Sequence, residues 1–462
     1  MQRGDAAGLV AEGKTVTAGR FDSSKVLPQK GLKEKDKITK LPGQPAAGVD
    51  FEQYSGYVTV DEKAGRALFY YLVEAPDAAK RPLLVWFNGG PGCSSLGIGA
   101  LEEIGPFRVM SDGKTLFSNP FAWNRVANVL FLESPAGVGF SYSNTTSDYD
   151  SNGDTQTAED AYVFLVNWLE RFPEYKHRDL FLAGESYAGH FAPQLAHAIL
   201  RYNNQLPHGI VINLKGIAIG NAAINDLTDN KGMLDFFWTH ALISDENHRE
   251  IEQNCDFNVA EGIKNPKCDA AIEKAKLVMT QIDIYNIYGP LCYNTSLVDP
   301  PKKSSVKSSD PCIDYYVFEY LNNPAVQKAL HAISAGPDHP WMICNDFSWE
   351  DTVPSVLPAL KELTANGIQV LVYSGDVDGR VPVTSSRYSV NALKLPVKTP
   401  WHPWLVAQQA AGYVEVYEGN LTLVTVRGGG HQVPSSQPHR ALVLIKYFLQ
   451  GEPLPPYPLL QS

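Results

Sequence analysis

The hydrophobic positions of this chain form short, nearly continuous apolar runs that each stop at a glycine-containing loop. Two segments, 54–60 and 66–75, predict strands joined by a turn at 61–65. Further runs read RPLLVWFNGG, NVLFLESPAG, DLFLAGES, LKGIAIGN, GIQVLVYSGD and LTLVTVRGGG. Because strands covered on both faces are apolar throughout, these runs predict the strands of a buried sheet.

Helical periodicity lies between several of these strands. Apolar residues recur at helical spacing in TAEDAYVFLVNWLERF, YAGHFAPQLAHAILRYN and QPHRALVLIKYFLQG. Strands and helices in alternation predict an α/β protein with a doubly wound, mostly parallel sheet. Ligands of such sheets bind beyond the carboxyl ends of the strands, so we expect the functional residues in the loops there.

Two regions depart from this alternation. Residues 1–45 are polar and lack sustained periodicity, which predicts a tail or a propeptide remnant. Residues 225–349 are polar, helical in places and contain five of the six cysteines, which predicts an inserted lid subdomain over the carboxyl edge of the sheet. Within the lid, 297–311 has the composition of a flexible loop. The core is then 46–224 and 350–456.

Composition limits the partners that we expect. A chain of 462 residues with 44% hydrophobic content can bury a large core. Its formal net charge of -11 argues against a nucleic acid or an anionic membrane surface as a partner. No apolar run reaches the roughly 18 residues of a membrane span, and the first residues lack the apolar core of a signal peptide.

The cysteines and glycosylation acceptors indicate an oxidising compartment. Six cysteines form an even set, and Asn-x-Ser/Thr acceptors occur at Asn144, Asn294 and Asn420. Together they predict the secretory pathway, with an extracellular or vacuolar destination. We expect no cofactor and no metal, since neither a Cys-x-x-Cys pair nor a His-x-x-x-His cluster is present.

The segment GESYAGHF, 184–191, contains the candidate nucleophile. Ser186 follows the apolar run LFLAG and opens a helical pattern, which is the strand–turn–helix setting of a nucleophile elbow. The usual pattern is Gly-x-Ser-x-Gly, and Ala188 stands at its fifth position. A side chain this small still permits the tight turn.

A serine hydroxyl needs a histidine base and an acid that orients the histidine. His431 follows three glycines just beyond a predicted strand, whereas His190 lies on the helix and cannot easily turn back to Ser186. The acid is Asp376 or Asp378, and the other can stabilise the turn. The order Ser, Asp, His is the one expected of α/β-hydrolases.

These motifs resemble the serine carboxypeptidases, and in particular the plant-type group that includes the wheat and malt enzymes. The resemblance runs from about Lys40 to Pro456 and rests on WFNGGPGCSS, ESPAGVGFSYS, GESYAG, SGDVDGRVP and GGGHQVP, in that order. It implies an α/β-hydrolase fold with a disulfide-bonded lid. The implied activity is removal of C-terminal amino acids from peptides through an acyl-enzyme.

The resemblance also implies roles for individual residues. Ser186 would be the nucleophile, His431 the base and Asp378, rather than Asp376, the acid. The N–H groups of Gly90 and Tyr187 would form the oxyanion hole.

Four residues would bind the carboxylate of the substrate: Trp86, Asn88, Glu102 and Glu185. We expect the neighbouring Glu103 to be a solvated acid at a helix end. Binding of the substrate carboxylate would explain why the acidic Glu185 directly precedes the nucleophile Ser186. Acids at contact distance raise one another's pKa, so binding of a further carboxylate needs shared protons. We therefore expect an acidic optimum, with KM rising toward neutral pH.

The remaining implications of the resemblance concern cross-links and partners. The implied disulfides are Cys93–Cys344, Cys255–Cys268 and Cys292–Cys312. Family members are often dimers, which makes a homodimer an expectation here, and some are cut by excision of a linker, for which 297–311 is the candidate.

Three other readings of the sequence stay open. On the same fold, the chain could transfer acyl groups from sugar esters or cleave cyanohydrins as a hydroxynitrile lyase. A reading of another class is a catalytically inactive secreted binding protein. The candidate carboxylate ligands favour the peptidase, because the other substrates need not carry a free carboxylate.

Overall fold

The computed structural model describes residues 22–205, 212–257, 265–303, 310–333, 340–346 and 348–456. The strands in these residues are β1 (Lys37–Ile38), β2 (Gln53–Asp61), β3 (Arg66–Val73), β4 (Leu83–Phe87), β5 (Phe107–Val109), β6 (Leu116–Ser118), β7 (Asn128–Leu132), β8 (Leu180–Glu185), β9 (Leu214–Gly220), β10 (Gln369–Gly375), β11 (Val397–Val406), β12 (Gln409–Tyr417) and β13 (Leu421–Val426).

The α-helices in the same residues are α1 (Leu32–Asp36), α2 (Asp154–Arg171), α3 (Ala188–Gln205), α4 (Asp226–Thr239), α5 (Asp245–Asn254), α6 (Pro266–Lys276), α7 (Ile313–Leu321), α8 (Pro324–Ala329), α9 (Leu357–Ala365), α10 (Val383–Ala392), α11 (Val433–Ser436) and α12 (Pro438–Gln450). A π-helical segment spans Ser95–Glu103.

One large mixed sheet organises the fold. In the described residues it has eleven strands in the order β1-β2-β3-β7-β4-β8-β9-β10-β13-β12-β11, and β5 pairs with β6 separately. The central strands from β7 to β13 run parallel, whereas β1, β2, β3, β12 and β11 add antiparallel pairs at the two sides. The α/β-hydrolase expectation is therefore confirmed.

Strand β4 explains why the apolar runs belong to buried strands. Leu83, Val85 and Phe87 pack into the core layer that contains α2 and α3. Leu84 and Trp86 point into a second core layer on the other face. Since successive side chains of a strand point to opposite faces, a strand between two apolar layers must be apolar throughout.

Residues 22–45, which the sequence predicts as part of a tail or propeptide remnant, pack against the core, while residues 1–21 lie outside the described part. Strand β1 pairs with β2, and the buried Asp36 accepts hydrogen bonds from Arg171 Nη1 and the Tyr70 hydroxyl, each at 2.6 Å. Leu27 N donates to Asn167 Oδ1 at 2.7 Å. These polar contacts bind a segment whose hydrophobic pattern is too weak to reveal its packing.

The predicted lid divides into two parts. Helices α4, α5 and α6 share a small apolar cluster that includes Phe236, Phe237 and Ile251. In contrast, Val317 and Leu321 of α7 pack into the main core beside the π-helical segment. In the described residues of the lid, the first part therefore has an apolar core of its own, whereas α7 belongs to the main core. Of the predicted flexible loop 297–311, residues 304–309 lie outside the described part.

The structure contains the three disulfides that the resemblance implies. Cys93–Cys344 joins the loop after β4 to the segment before β10, while Cys255–Cys268 links α5 to α6. Cys292–Cys312 connects the segment after α6 to the start of α7. All three cross-links thus involve the inserted region or join it to the core.

A long hairpin of β11 and β12 completes one side of the sheet, and the hydrophobic pattern does not predict it. Pro400 and Pro403 lie inside β11, and prolines argue against a central strand because they donate no ladder hydrogen bond. Here β11 is the outermost strand, with breaks in register against β12. An edge strand tolerates proline because one of its sides has no neighbouring strand.

Candidate active site

The candidate nucleophile sits on a sharp turn between β8 and α3. Ser186 has φ +61°, in the left-handed region that few non-glycine residues adopt. Its N–H donates to Gly220 O at 3.0 Å, and its C=O accepts from Gly189 N and Ala223 N, both at 3.0 Å. These bonds fix the strained backbone, and Ser186 lines a cavity of about 640 Å³.

The small residues of the elbow are required by close packing. A Cβ on Gly184 would lie 2.3 Å from Phe87 O and 2.6 Å from the Ala188 Cβ, so only glycine fits there. Ala188 itself is buried at the start of α3. Alanine at the fifth position is thus compatible with the elbow.

His431 and Asp378 form the hydrogen-bonded pair expected of a base and its acid. His431 Nδ1 lies 2.8 Å from Asp378 Oδ2, and both side chains are buried. Asp378 also accepts from Asn221 Nδ2 at 2.8 Å, Arg380 N at 2.7 Å and Val381 N at 3.1 Å. Because the carboxylate bonds to Nδ1, the Nε2 atom of the imidazole is available to accept the proton of a nucleophile.

Asp376 has a different function in the loop. Its Oδ1 accepts a hydrogen bond from Gly428 N at 2.6 Å. This bond stabilises the turn at the start of the glycine-rich loop that carries His431. Of the two aspartates that the sequence left open, Asp378 is therefore the one that the structure places against the histidine.

Ser186 and His431 line the same cavity. Among the described residues, no hydrogen bond joins the Ser186 hydroxyl to His431, whose ring bonds to Asp378. Catalytic bonds of this kind are often long until substrate binds. His190 is bonded elsewhere, with its Nδ1 3.4 Å from Asp154 Oδ2.

The loop after β4 lies against the elbow and presents backbone donors. A Cβ on Gly89 would lie 2.4 Å from Tyr187 N and 2.8 Å from the Ser186 Cβ, so the two chains are in close contact. Gly90 has φ +108°, which strongly favours glycine. Within the described residues, the N–H groups of Gly90 and Tyr187 donate no backbone hydrogen bond, so both remain able to bind an oxyanion.

A buried pair of glutamates lies next to the nucleophile, and its members are Glu103 and Glu185. Asn88 Nδ2 donates to Glu103 Oε1 at 3.0 Å and to Glu185 Oε1 at 3.2 Å. Trp86 Nε1 donates to Asn88 Oδ1 at 2.7 Å and so fixes the orientation of the amide. We call Glu103 and Glu185 the acid pair.

The placement of Glu102 in this group is corrected by the structure, as is the expectation that Glu103 is solvated. Both are 1% exposed, and Glu103 is the one that contacts Asn88. Glu102 instead lies near Asp314 of α7, which helps to raise its pKa, and neither of its carboxyl oxygens accepts a hydrogen bond from the described residues. In a π-helix each residue bonds to the fifth along the chain, so side-chain directions differ from those of an α-helix.

Burial favours the protonated form of the acid pair. It raises the pKa of Glu185 well above the ordinary value, and the neighbouring Glu103 raises it further. Burial likewise raises the pKa of Glu103, although hydrogen bonds from Glu185 and Asn88 oppose this. Oε2 of each glutamate is buried and accepts no hydrogen bond from the described residues. Both shifts therefore favour the protonated form of the pair.

The cation Arg108 does not bond to the carboxyl groups of the acid pair. Arg108 is buried, and its guanidinium donates to the main-chain oxygen of Glu103 rather than to the carboxyl group. Burial lowers the pKa of Arg108 to about 10, so it stays charged at neutral pH. Without a guanidinium on the carboxyl oxygens, protonation remains the way to relieve repulsion between the two acids.

Three functional candidates were not identified from the sequence: Glu103, Asn221 and Asp154. Asn221 follows the apolar run of β9 directly, which is a position where polar residues of an α/β site are expected. Asp154 begins α2 and offers no comparable signal in the sequence. The acceptors Asn144, Asn294 and Asn420 are all exposed.

Two further observations concern metal binding and membrane crossing. Histidine, cysteine and acidic side chains do not form a group of three or more that could hold a metal ion, as far as the described residues show. In the same part of the chain, no helix combines the length and apolar character that a membrane crossing requires.

Comparison with known proteins gives consistent similarities. Residues 42–451 match the family model described as serine carboxypeptidase. The chain is 55% identical to serine carboxypeptidase-like 40 of Arabidopsis thaliana over 432 residues, covering 92% of this chain and 85% of the relative. It is 48% identical to serine carboxypeptidase 24 of the same plant over 440 residues, covering 91% and 93%.

A solved structure shares the fold. The crystal structure of Kex1, a prohormone-processing carboxypeptidase from Saccharomyces cerevisiae, matches with a TM-score of 0.76 and 24% identity. The match covers 92% of this chain and 97% of the yeast chain. Both the sequence and the fold comparisons therefore extend over nearly the whole molecule.

Proposed function

The chain belongs to the serine carboxypeptidase family of serine-type hydrolases, and we propose that it removes C-terminal amino acids from peptides at acidic pH. The observation that carries the proposal is the acid pair. Glu185 lies directly beside Ser186 in the cavity, and Asn88 bonds to both acids. A protonated acid pair and an amide are donors suited to a substrate carboxylate.

In the proposed reaction, Ser186 attacks the carbonyl carbon of the last peptide bond. His431 takes the proton from the hydroxyl and then gives it to the departing amino acid, while Asp378 holds the imidazole in place. The N–H groups of Gly90 and Tyr187 stabilise the oxyanion. Water, activated by His431, then hydrolyses the acyl-enzyme.

The acid pair explains why a carboxylate can sit beside the nucleophile. With a shared proton, the pair donates to the substrate carboxylate instead of repelling it. The substrate is thereby held with its terminal residue against Asn88 and its scissile bond at Ser186. The same arrangement binds peptides with a blocked terminal carboxylate more weakly than peptides with a free one.

The pH dependence follows from the direction of the pKa shifts. Because the pKa of Glu185 is raised, the shared proton is present at low pH and is lost as the pH rises through that pKa. Loss of the proton leaves negative charges facing the substrate carboxylate. We expect KM to increase toward neutral pH.

We also place the protein in the secretory pathway, extracellular or vacuolar. Three disulfides are typical of proteins from oxidising compartments. The exposed acceptors Asn144, Asn294 and Asn420 are compatible with glycosylation there. An acidic vacuole or cell exterior would match the expected pH range.

The test is incubation of the purified protein with an N-blocked dipeptide and with its C-terminal amide, beside a serine-directed phosphonylating reagent. We expect release of the free amino acid from the dipeptide alone, and labelling at Ser186. Ser186→Ala should lose both. Labelling without release, together with turnover of a sugar ester, would identify an acyltransferase and contradict the proposal.

A further inference from the structure

Asp154 is a buried carboxylate near the nucleophile that the proposed reaction does not use. It is the first residue of α2 and is 1% exposed. Five donors surround it. They are Tyr187 Oη at 3.0 Å, Trp349 Nε1 at 3.1 Å, Gln194 Nε2 at 2.9 Å, Val353 N at 3.1 Å and His190 Nδ1 at 3.4 Å.

The donors also pack against one another around Tyr187. Its ring stacks on His190 with centroids 4.7 Å apart and planes at 14°. Trp349 meets the same ring edge-on at 5.8 Å and 82°. Because Asp154 bonds to all three rings, we call Asp154, Tyr187, His190, Gln194 and Trp349 the Asp154 cluster.

The carboxylate remains charged in this environment. Burial by itself would raise the pKa of Asp154, but hydrogen bonds from His190 and Gln194 hold it below the ordinary value. The position at the first turn of α2 adds the favourable dipole of a helix N-terminus. An ionised acceptor makes hydrogen bonds that are shorter and stronger than those of a neutral one.

Tyr187 is the residue through which this cluster reaches the reaction. Its phenol is held by Asp154, while its own backbone N–H is the oxyanion donor of the proposed mechanism. The tyrosine follows Ser186, whose φ of +61° makes the peptide between them part of a strained turn. A ring fixed at the far end of the side chain limits rotation of that peptide.

We propose that Asp154 is a positioning residue for the oxyanion hole: by holding the Tyr187 phenol, it keeps the Tyr187 N–H directed at the developing oxyanion. This inference rests on the proposed function, since it needs an acyl-transfer reaction at Ser186. It adds a residue that is not part of the lining of the cavity that contains Ser186. Its hydrogen bonds would affect catalysis by fixing the position of the Tyr187 N–H.

The test uses two variants that interrupt the contact from either side. Asp154→Asn keeps the size of the side chain but removes the charge, and Tyr187→Phe removes only the hydroxyl. Displacement of an oxyanion donor should lower kcat for an N-blocked dipeptide about 10- to 100-fold. KM should stay within about twofold, because binding of the substrate carboxylate belongs to the acid pair.

The double variant and a matched control separate positioning from stability. If both changes act through one contact, Asp154→Asn with Tyr187→Phe should lose no more kcat than the more impaired single variant. Asp160→Asn is the control, because Asp160 is also buried in α2 and bonds to Arg66. We expect it to lower the unfolding temperature without changing kcat.

Each other outcome counts against the inference. It is overturned if folded Asp154→Asn retains wild-type kcat, or if the losses in the double variant multiply. Should Asp154→Asn fail to fold, wild-type kcat in Tyr187→Phe overturns it. Failure of the proposed function would look different, since the wild-type protein would then release no amino acid.

Discussion

Two kinds of buried carboxyl group surround Ser186, and they differ in the donors that they face. Asp154 accepts hydrogen bonds from five donors and Asp378 from four. Among the described residues, one residue outside the acid pair, Asn88, donates hydrogen bonds to its two carboxyl groups. All of these side chains are at most 4% exposed, so burial does not distinguish them.

The comparison teaches that donors, rather than depth, decide the charge of a buried acid. Sufficient donors replace the lost hydration, and Asp154 then stays ionised. With few donors and a second acid in contact, the pKa rises and a proton is retained. In the proposed reaction, one active site thereby combines the ionised Asp154, which orients Tyr187, with an acid pair that favours its protonated form and binds the substrate carboxylate.

The largest effect should come from a change at Asp378, an acid that accepts hydrogen bonds from four donors. Asp378→Asn replaces a carboxylate with an amide that cannot hold His431 in the required tautomer, so kcat should fall about 10⁴-fold. KM should change little. Steady-state kinetics on an N-blocked dipeptide would check this, and a loss below tenfold would show that the charge of Asp378 is not needed.

A smaller effect should follow from removing one of the donors. Asn221→Ala deletes the side-chain bond to Asp378 Oδ2 but leaves those from Arg380 N and Val381 N. We expect kcat about tenfold lower with KM unchanged. A loss as large as that of Asp378→Asn would mean that the donors do not act independently.

The smallest effect concerns an acid outside the reaction. Burial raises the pKa of Glu102 well above its ordinary value, and Asp314 adds to the shift. Its contribution to stability is present below the ordinary pKa of a glutamate and is lost as the pH rises through the folded pKa. Glu102→Gln avoids that loss, because a neutral amide replaces the titrating group.

Thermal unfolding at pH 4.5 and pH 7.5 measures this difference. Glu102→Gln should match the wild type at the lower pH and unfold about 1–3 °C higher at the upper pH. The control is Glu62→Gln, at an exposed position. An equal shift at both pH values would show that Glu102 does not carry the proton.

Hydrophobic pattern was sufficient for much of the fold but not for its periphery. Six apolar runs correspond to β4, β7, β8, β9, β10 and β13, because strands between two core layers must be apolar on both faces. The β11–β12 hairpin and residues 22–45 were missed. Both lie where packing depends on edge pairing or polar contacts, which leave little periodicity.

The residues of the candidate site also differ in how far the sequence predicts them. Ser186, His431 and the Asp376/Asp378 alternatives follow from strand ends and chain order, which the sequence displays directly. The choice between Glu102 and Glu103 depends on the π-helical segment, whose residue spacing is outside the periodicities of α-helix and strand. Asp154 could not be predicted, because the residues that donate hydrogen bonds to it are far apart in the sequence.

The central claim is that the acid pair binds the terminal carboxylate through a shared proton, and KM as a function of pH tests it most directly. For an N-blocked dipeptide, KM should rise about tenfold per pH unit above the pKa of the pair, as loss of one proton requires. The C-terminal amide should lack this rise, as should Glu103→Gln with Glu185→Gln. Parallel rises for the dipeptide and its amide would contradict the account.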